Sequence, residues 1–134
     1  MVPVPIHAVR RRERGYNQAE DIAAEVSSQT AVPVLANALG RVRPTLSQTR
    51  LGQEERQRNL GGAFACLLPE VLAGKRLLLV DDVFTTGATA SECARLVLGA
   101  GGASVGVLAL ARVDADPDGD DFGREMEAVS GFVV

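Results

Sequence analysis

The residues best suited to chemistry are two adjacent carboxylates, Asp81 and Asp82, followed by a small loop rich in threonine. Four apolar residues, 77–80, precede the acids without alternation, which is typical of a strand buried on both faces. Beyond the loop, apolar residues recur at helical spacing, at Ala90, Cys93, Ala94, Val97 and Leu98. The order strand, loop, helix predicts polar groups at the carboxyl end of a strand, where open α/β sheets bind ligands.

The loop after the acids has the composition of a phosphate-binding turn. Gly87 permits a positive φ and close approach of a ligand to the backbone. The first amides of the following helix lack intrahelical partners, and Thr85, Thr86 and Thr89 add hydroxyl donors. The two carboxylates would repel a phosphate, so they suit sugar hydroxyls or a Mg²⁺ ion that bridges ligand oxygens. A Walker A loop is excluded because the pattern G-x-x-x-x-G-K-[S/T] is absent.

Residues 77–89 closely resemble the 5-phosphoribosyl-1-diphosphate (PRPP) signature of type I phosphoribosyltransferases. Every position agrees: four hydrophobic residues, an acid pair, two hydrophobic residues, two Thr- or Gly-like residues, Gly, any residue, and Thr or Ser. The resemblance implies that Asp81 and Asp82 are the catalytic pair and hold the ribose hydroxyls. It also implies that the 5′-phosphate is bound by Thr85, Thr86, Gly87, Ala88 and Thr89. The alternative is an ordinary buried strand that ends in a polar turn.

A second strand–loop–helix unit begins the chain and carries the opposite charge. Residues 2–6 predict a strand. Because its two prolines cannot donate to a ladder, this segment should lie at the edge of the sheet or at the end of the strand. The loop at residues 7–17 is basic. Asn17, with Glu20 three residues later, is typical of a capping box at the start of a helix.

The alternation of strands and helices indicates one α/β domain over residues 1–134. We expect a Rossmann-like, mostly parallel sheet of about five strands with helices on both faces, and the resemblance implies the type I phosphoribosyltransferase fold. Further strands are predicted at residues 32–35, 103–110 and 131–134, and residues 61–66 predict a turn and a short strand. A helical turn at 69–73 should end at Gly74. Residues 41–59 predict a flexible loop, and residues 114–134 an acidic tail.

Four further elements narrow the resemblance to the ComF-family phosphoribosyltransferase domain. They are Pro3-Val4-Pro5, Arg14-Gly15-Tyr16-Asn17-Gln18-Ala19, Gln48-Thr49-x-Leu51, and Arg56-x-x-Asn59-Leu60-x-x-Ala63-Phe64. The similarity runs from about residue 2 to Arg112. ComF-family proteins usually carry an N-terminal four-Cys zinc module, which this sequence lacks, and the acidic tail has no counterpart in the resemblance.

The resemblance also implies that arginines bind the diphosphate of PRPP, because guanidinium groups suit bidentate phosphate contacts. In type I phosphoribosyltransferases the loop after the first core strand makes this contact, and a flexible loop closes over PRPP to exclude water. The candidates in these two loops are Arg10, Arg11, Arg14, Arg50 and Arg56. The alternatives are solvated surface loops or, for the first loop, a nucleic-acid patch.

Charge and composition bound the partners. Residues 1–58 hold nine Arg and six acids, a net charge of +3, while residues 59–134 carry −6. A basic half suits a polyanion, but the overall charge of −3 argues against a general nucleic-acid binder. The two cysteines form no CxxC pair, so no zinc site is predicted. No signal segment or long apolar run occurs, so no membrane segment is predicted and a cytoplasmic location is expected.

The sequence therefore predicts a phosphoribosyltransferase that uses Mg-PRPP, with Mg²⁺ held mainly by PRPP and with Asp81 and Asp82 as further candidate ligands. A nitrogenous acceptor would displace diphosphate from the anomeric carbon. Thr85 stands where phosphoribosyltransferases for 6-oxopurines carry an Asp, so that class is disfavoured and the acceptor stays open. The alternatives are a PRPP- or nucleotide-binding protein without turnover and an accessory role in competence for DNA uptake. Whether the chain forms a homodimer stays open.

Overall fold

The computed structural model describes residues 1–6, 11–13, 15–43, 61–112 and 129–133. The strands in these ranges are β1 (Val2–Pro3), β2 (Leu39–Arg41), β3 (Phe64–Cys66), β4 (Arg76–Phe84), β5 (Ser104–Arg112) and β6 (Val129–Val133). The helices are α1 (Gln18–Thr30), α2 (Pro69–Leu72) and α3 (Ala88–Gly99), and residues 11–13 also have helical backbone.

The main sheet has the order β1-β4-β5-β6, and all of its neighbouring strands are parallel. β4 lies between β1 and β5, with Val2 opposite Leu79 and Leu79 opposite Val107. Parallel strands share one direction, so the loops that follow β1 and β4 leave the sheet at the same edge. Both loops lead into helices.

The two faces of the sheet are covered by different helices, as predicted. Because successive strand residues point to opposite faces, Leu77 and Leu79 pack with α3, which contributes Cys93 and Val97. Val80 packs on the other face with a group that contains α1 residues, namely Ala23, Ile22 and Val26. β4 therefore contributes side chains to both cores. Full burial of each such aliphatic side chain contributes about 1.5–3 kcal/mol to stability.

β2 and β3 form a separate antiparallel pair that lies against α3. Phe64 is buried in the α3-side core. The main sheet therefore holds four of the described strands, where about five were expected, and the two others form this pair. The turn and short strand predicted over residues 61–66 are confirmed, with the strand at Phe64–Cys66, and so is the short helix ended by Gly74.

The strand predicted at residues 32–35 is wrong. Pro33 has no N–H to offer a ladder, and Ala31 takes the left-handed conformation (φ 58°) as α1 ends. The segment instead runs beside the first residue of the chain. The Met1 amino group donates to the Pro33 carbonyl at 2.6 Å, and the Leu35 N–H donates to the Met1 carbonyl at 2.8 Å. These contacts anchor the segment without forming a strand.

Candidate functional site at the carboxyl ends of β1 and β4

Asp81 and Asp82 lie on β4 just past the point where β1 ends. The last β1 pairing joins Pro3 to Val80, and the Val4 N–H donates to the Val80 carbonyl at 2.8 Å. We expected the strand to stop at the acids, but β4 continues to Phe84 because β5 continues beside it, with Val83 opposite Ala111. The two acids are therefore held by a strand that is paired on one side only.

The acid side chains bind backbone amides next to them. Asp81 Oδ1 accepts the Asp82 N–H at 2.9 Å, and Asp82 Oδ1 accepts the Val83 N–H at 2.8 Å. Burial raises the pKa of Asp81 to about 7, and the hydrogen bond and charge of the Asp82 carboxyl add to the rise; the Asp82 N–H opposes it. Two half-buried carboxyls thus lie side by side, and each has an oxygen directed at the backbone.

Gly87 connects the strand to α3 and fits its place for two reasons. Its φ of 77° is in the left-handed region, which glycine adopts without strain, as the sequence predicted. A Cβ at this position would also lie 2.8 Å from Cζ of Phe84, whose ring is buried beneath the turn. Residues 85–87 therefore form a tight turn in which backbone amides can approach a ligand closely.

The N-terminus of α3 presents backbone donors without a side-chain cap. Gly87 is the capping residue and no acidic residue occupies the first turn. The Ala88 N–H lies 3.4 Å from Thr86 Oγ1, which is long for a hydrogen bond. Unsatisfied amides and the helix dipole together favour an anion at this point. The predicted phosphate residues are brought together here: Thr85 and Thr86 lie in the turn, and Ala88 and Thr89 are the first residues of α3.

Asn17 lies just before α1 and is the only polar side chain found buried among the described residues. Its Oδ1 accepts the Ala19 N–H at 3.2 Å, which caps α1, and its Nδ2 donates to the Val4 carbonyl at 3.1 Å. The predicted N-cap is confirmed. The Glu20 carboxylate instead forms a bidentate ion pair with Arg11, with both N···O distances 2.9 Å.

Of the five diphosphate candidates, Arg11 is the one that the structure describes. Arg11 is exposed, lies on the basic loop and is engaged by Glu20. Arg10, Arg14, Arg50 and Arg56 lie outside the described residues, as do most of the predicted loop at 41–59 and residues 114–128 of the predicted tail. Their roles therefore stay predictions.

A network that the sequence did not predict joins α3 to residues 61–62. Glu92 binds Arg95 through two hydrogen bonds of 2.9 and 2.8 Å. Hydrogen bonding to Arg95 lowers the pKa of Glu92, and burial opposes this shift. A hydrogen bond from the Gly62 N–H lowers the pKa of Glu92 slightly further. Arg43 donates to the Gly61 carbonyl. The Glu92–Arg95 pair has the i,i+3 spacing of a helical ion pair, but no sequence signal identifies the contact between Glu92 and the distant Gly62.

The thiol of Cys93 lies in the core beneath the acid pair. Burial, followed by the charges of Asp81 and Glu92, raises its pKa far above the ordinary value, while Arg41 opposes the shift. The Arg41 guanidinium lies 5.3 Å from the centre of the Phe64 ring. A thiol kept protonated in this way is inert as a nucleophile, in line with its predicted place on the core face of the helix.

In the ranges that the structure describes, no three His, Cys, Asp or Glu side chains gather closely enough to hold a metal ion. The same part of the chain contains no helix with the length and hydrophobicity needed to cross a bilayer. The cytoplasmic location stays a prediction.

Taken together, these strands and helices form an α/β domain whose parallel sheet carries an acid pair and an uncapped helix N-terminus at its carboxyl edge. A family model described as "Phosphoribosyl transferase domain" matches residues 4–128. The chain belongs to this family. The type I phosphoribosyltransferase fold expected from the sequence is therefore confirmed, with the four-stranded parallel sheet described above.

The chain is similar in sequence to proteins named for competence and DNA utilization. It is 36% identical over 113 residues to Competence protein F of Haemophilus influenzae and 38% identical over 112 residues to DNA utilization protein YhgH of Escherichia coli K12. It is 29% identical over 113 residues to Competence protein ComFC of Bacillus subtilis. Each match covers 84% of this chain but 44–49% of the relative, so the chain spans about half their length. The resemblance to the ComF family is confirmed.

Proposed function

We propose that this domain binds Mg-PRPP and transfers ribose 5-phosphate to a nitrogenous acceptor, with release of diphosphate. The observation that carries the proposal is the turn between β4 and α3. Two half-buried carboxyls, Asp81 and Asp82, are followed within five residues by a glycine at φ 77° and a helix N-terminus without a side-chain cap. A phosphorylated sugar needs this pairing of hydroxyl acceptors with phosphate donors.

The ribose and the 5′-phosphate of PRPP need opposite partners, hydrogen-bond acceptors for the first and hydrogen-bond donors for the second. The ribose hydroxyls would donate to the carboxylates of Asp81 and Asp82, since ionised carboxylates are pure acceptors. The 5′-phosphate would accept from the backbone amides of residues 86–89 and from the hydroxyls of Thr85, Thr86 and Thr89. A phosphate at the position of the acids would be repelled, which supports an orientation of the donor with its ribose at the acids and its 5′-phosphate at α3.

The reaction is a substitution at the anomeric carbon. The acceptor nitrogen forms a bond to that carbon while the bond to the diphosphate oxygen breaks, and diphosphate leaves with the bonding electrons. Mg²⁺ arrives as part of the Mg-PRPP substrate and neutralises the leaving group. The protein would mainly hold the ribose in position and stabilise the developing charge. The exposed arginines of the basic loop, such as Arg11, are candidates for the diphosphate end.

Calorimetry with Mg-PRPP tests the donor. We expect saturable binding by the wild type and at least tenfold weaker binding by the Asp81→Asn/Asp82→Asn double variant, because each charge-assisted hydrogen bond contributes about 1.5–3 kcal/mol. The matched control is Glu25→Gln/Glu70→Gln, which removes two exposed carboxylates elsewhere. Absence of binding by the wild type, or equal binding by the two double variants, would refute the proposal.

A second candidate is a role in competence or DNA use in which PRPP is bound without turnover. The names of the relatives, Competence protein F and DNA utilization protein, favour it. Release of diphosphate from PRPP across a panel of bases and amines separates the two functions. Binding of PRPP without release on any acceptor favours the second. DNA affinity that falls steeply with salt would extend it to direct nucleic-acid contact.

A further inference from the structure

Glu92 is an acid of α3 that contacts the chain just before β3. Its side chain is 14% exposed, whereas that of its ion-pair partner Arg95 is 66% exposed. The Gly62 N–H donates to the Glu92 carboxylate. A carboxylate with so little access to water needs hydrogen-bond donors around it, and here one donor comes from a distant backbone segment. Glu92 therefore ties α3 to Gly62, and Arg95 balances its charge from the solvent side.

The contact lies close to the proposed 5′-phosphate site, because both are on α3. Ala88, Glu92 and Arg95 follow one another at intervals of four and three residues, so they share one face of the helix. A rise of about 1.5 Å per residue puts Glu92 about 6 Å along the axis from Ala88, the first residue of α3. The bond to Gly62 is thus one helical turn from the amides that would bind the phosphate.

The same place is where the chain leaves the described structure after β2 and returns to it before β3. β2 and β3 pair with each other, and the Arg43 guanidinium donates to the Gly61 carbonyl. Arg43 and Gly61 flank residues 44–60, which lie outside the described residues. The two ends of this segment are therefore joined to each other, and the bond between Glu92 and Gly62 holds them against α3.

We propose that Glu92 is a positioning residue for the diphosphate end of Mg-PRPP. This inference rests on the proposed function, since it needs the 5′-phosphate at α3. The sequence predicts Arg50 and Arg56 as diphosphate residues, and both belong to the segment 44–60. Because Glu92 holds the ends of that segment beside α3, any contact that these arginines make with the diphosphate depends on it. The ribose and the 5′-phosphate, which β4 and α3 would bind directly, do not depend on it.

The charge of Glu92 and its bond to Gly62 predict opposite effects on binding. A carboxylate about one turn from a bound phosphate repels it, so charge alone predicts that removal of Glu92 tightens the binding of every phosphorylated ligand. Arg95 offsets this repulsion through its two hydrogen bonds to the carboxylate. A positioning role predicts weaker binding instead, and only for a ligand that carries the diphosphate. The direction of the effect and its dependence on the ligand separate the two roles.

Calorimetry with two ligands measures this difference. Mg-PRPP carries the diphosphate, while ribose 5-phosphate has the same 5′-phosphate and ring hydroxyls without it, and its Kd is obtained by competition with Mg-PRPP. Glu92→Ala should weaken Mg-PRPP about 3- to 30-fold, the range for a residue that acts through a contact network, and should change the Kd of ribose 5-phosphate less than about twofold.

Two further variants isolate the contact with Gly62. Glu92→Gln keeps an oxygen that can accept the Gly62 N–H, so its affinity for Mg-PRPP should lie between those of Glu92→Ala and the wild type. Arg95→Ala is the matched control, since it breaks the exposed ion pair and leaves that contact in place, and its affinity should stay within about twofold of wild type. Amide hydrogen exchange at Gly62 should be faster in Glu92→Ala than in the wild type or in Arg95→Ala.

The outcomes distinguish this inference from the proposed function. If Glu92→Ala binds Mg-PRPP as tightly as the wild type or more tightly, or weakens both ligands by the same factor, the positioning role is wrong. Equal weakening by Arg95→Ala, or an unchanged exchange rate at Gly62 in Glu92→Ala, also overturns it. Each of these results leaves binding of Mg-PRPP by the wild type intact. If the wild type does not bind Mg-PRPP, or if ribose 5-phosphate does not compete with it, the proposed function has failed.

Discussion

The loops that enter α1 and α3 leave the same edge of the sheet, and each contains a glycine at nearly the same positive φ, 79° at Gly15 and 77° at Gly87. They differ at the helix N-terminus. α1 is capped by Asn17 and has Glu20 and Asp21 in its first turn, while α3 has neither a side-chain cap nor an acid there. The positive end of α1 is therefore satisfied within the protein, and that of α3 is left for an anion.

This difference explains why the basic loop and the acidic strand can belong to one site. The arginines beside α1 do not make its N-terminus an anion site, because the acids in the first turn already compensate the partial positive charge of the helix dipole. The acids on β4 do not prevent anion binding at α3, because they precede the turn and lie on the strand. Side-chain charge and backbone donors are thus separated along the sheet edge, which suits a ligand with a phosphate at each end.

The largest effect should come from the two glycines. Gly87→Ala must adopt a left-handed conformation and displace the Phe84 ring, and we expect it to lower the free energy of unfolding by about 2–4 kcal/mol. Gly15→Ala has the same strain, but nothing lies within 4 Å of its Cβ, so about 1–2 kcal/mol is expected. Urea denaturation measures both. Equal losses would show that the Phe84 contact is relieved without cost.

The caps should differ next. Asn17→Ala removes the α1 cap and leaves the Val4 carbonyl without its buried donor, so we expect a loss of about 1–3 kcal/mol. Thr86→Ala removes only a long contact at α3 and should cost less than about 0.5 kcal/mol, while weakening Mg-PRPP binding. Thermal or urea unfolding gives the first comparison and calorimetry the second. A larger loss of stability for Thr86→Ala than for Asn17→Ala would contradict the assignment of Asn17 as a structural cap and of Thr86 as a ligand-binding residue.

Adding an acid to α3 would make it resemble α1. Thr89→Asp should leave stability unchanged or raise it by about 0.3–1 kcal/mol through the helix dipole. The same carboxylate should weaken Mg-PRPP binding at least tenfold by repelling the 5′-phosphate. Thr89→Asn, which has the same shape without the charge, separates repulsion from the lost hydroxyl. If both variants bind Mg-PRPP as wild type does, the phosphate does not lie at this helix.

The acid pair predicts an unusual pH dependence. The folded pKa of Asp81, about 7, lies above the ordinary aspartate value of 3.8, so the folded state binds more protons between these values. Its contribution to stability is present below pH 4 and is lost as the pH rises through 7. Asp81→Asn should therefore stabilise the unliganded domain at pH 8 and have less effect at pH 5. Urea midpoints test this, with Asp21→Asn as the control for removing one surface carboxylate.

Mg-PRPP should reverse this behaviour. Ribose hydroxyls favour the ionised form of Asp81, so binding near pH 6.5 should release a proton from that carboxyl, and affinity should rise with pH up to about 7. Calorimetry in buffers with different ionisation enthalpies measures the release. Since PRPP also titrates, Asp81→Asn provides the baseline. A release of the same size in that variant would assign the proton to the ligand.

The parts that the sequence predicted correctly are local. The strand at 77–80, the positive φ of Gly87 and the cap at Asn17 each depend on neighbouring residues, so local patterns predict them. The strand predicted at 32–35 failed because Pro33 and the contacts of Met1 decide its conformation. β4 extends past the acids because β5 pairs with it, and no property of Asp81 or Asp82 indicates that.

The site residues that were missed depend on contacts between distant segments. A Cβ at Gly87 would clash with Phe84 because the ring of Phe84 is buried beneath the turn. Glu92 reaches Gly62, thirty residues earlier, and Asn17 reaches Val4, thirteen residues earlier. Hydrophobic pattern and turn chemistry do not encode such pairs, so the sequence predicts the strand, turn and helix of the candidate site but not the contacts around them.

The smallest effect is expected at the ion pair of Arg11 and Glu20, which lies on the α1 side. Because Arg11 is 54% exposed, breaking the pair with Glu20→Gln should cost at most about 1 kcal/mol. The change also releases the Arg11 guanidinium, so Mg-PRPP affinity should stay equal or rise if that arginine contacts the diphosphate. Arg11→Gln should then weaken binding in low salt. If Arg11→Gln has no effect while Asp81→Asn does, the diphosphate contacts are made elsewhere, and Arg11 serves only to neutralise the first turn of α1.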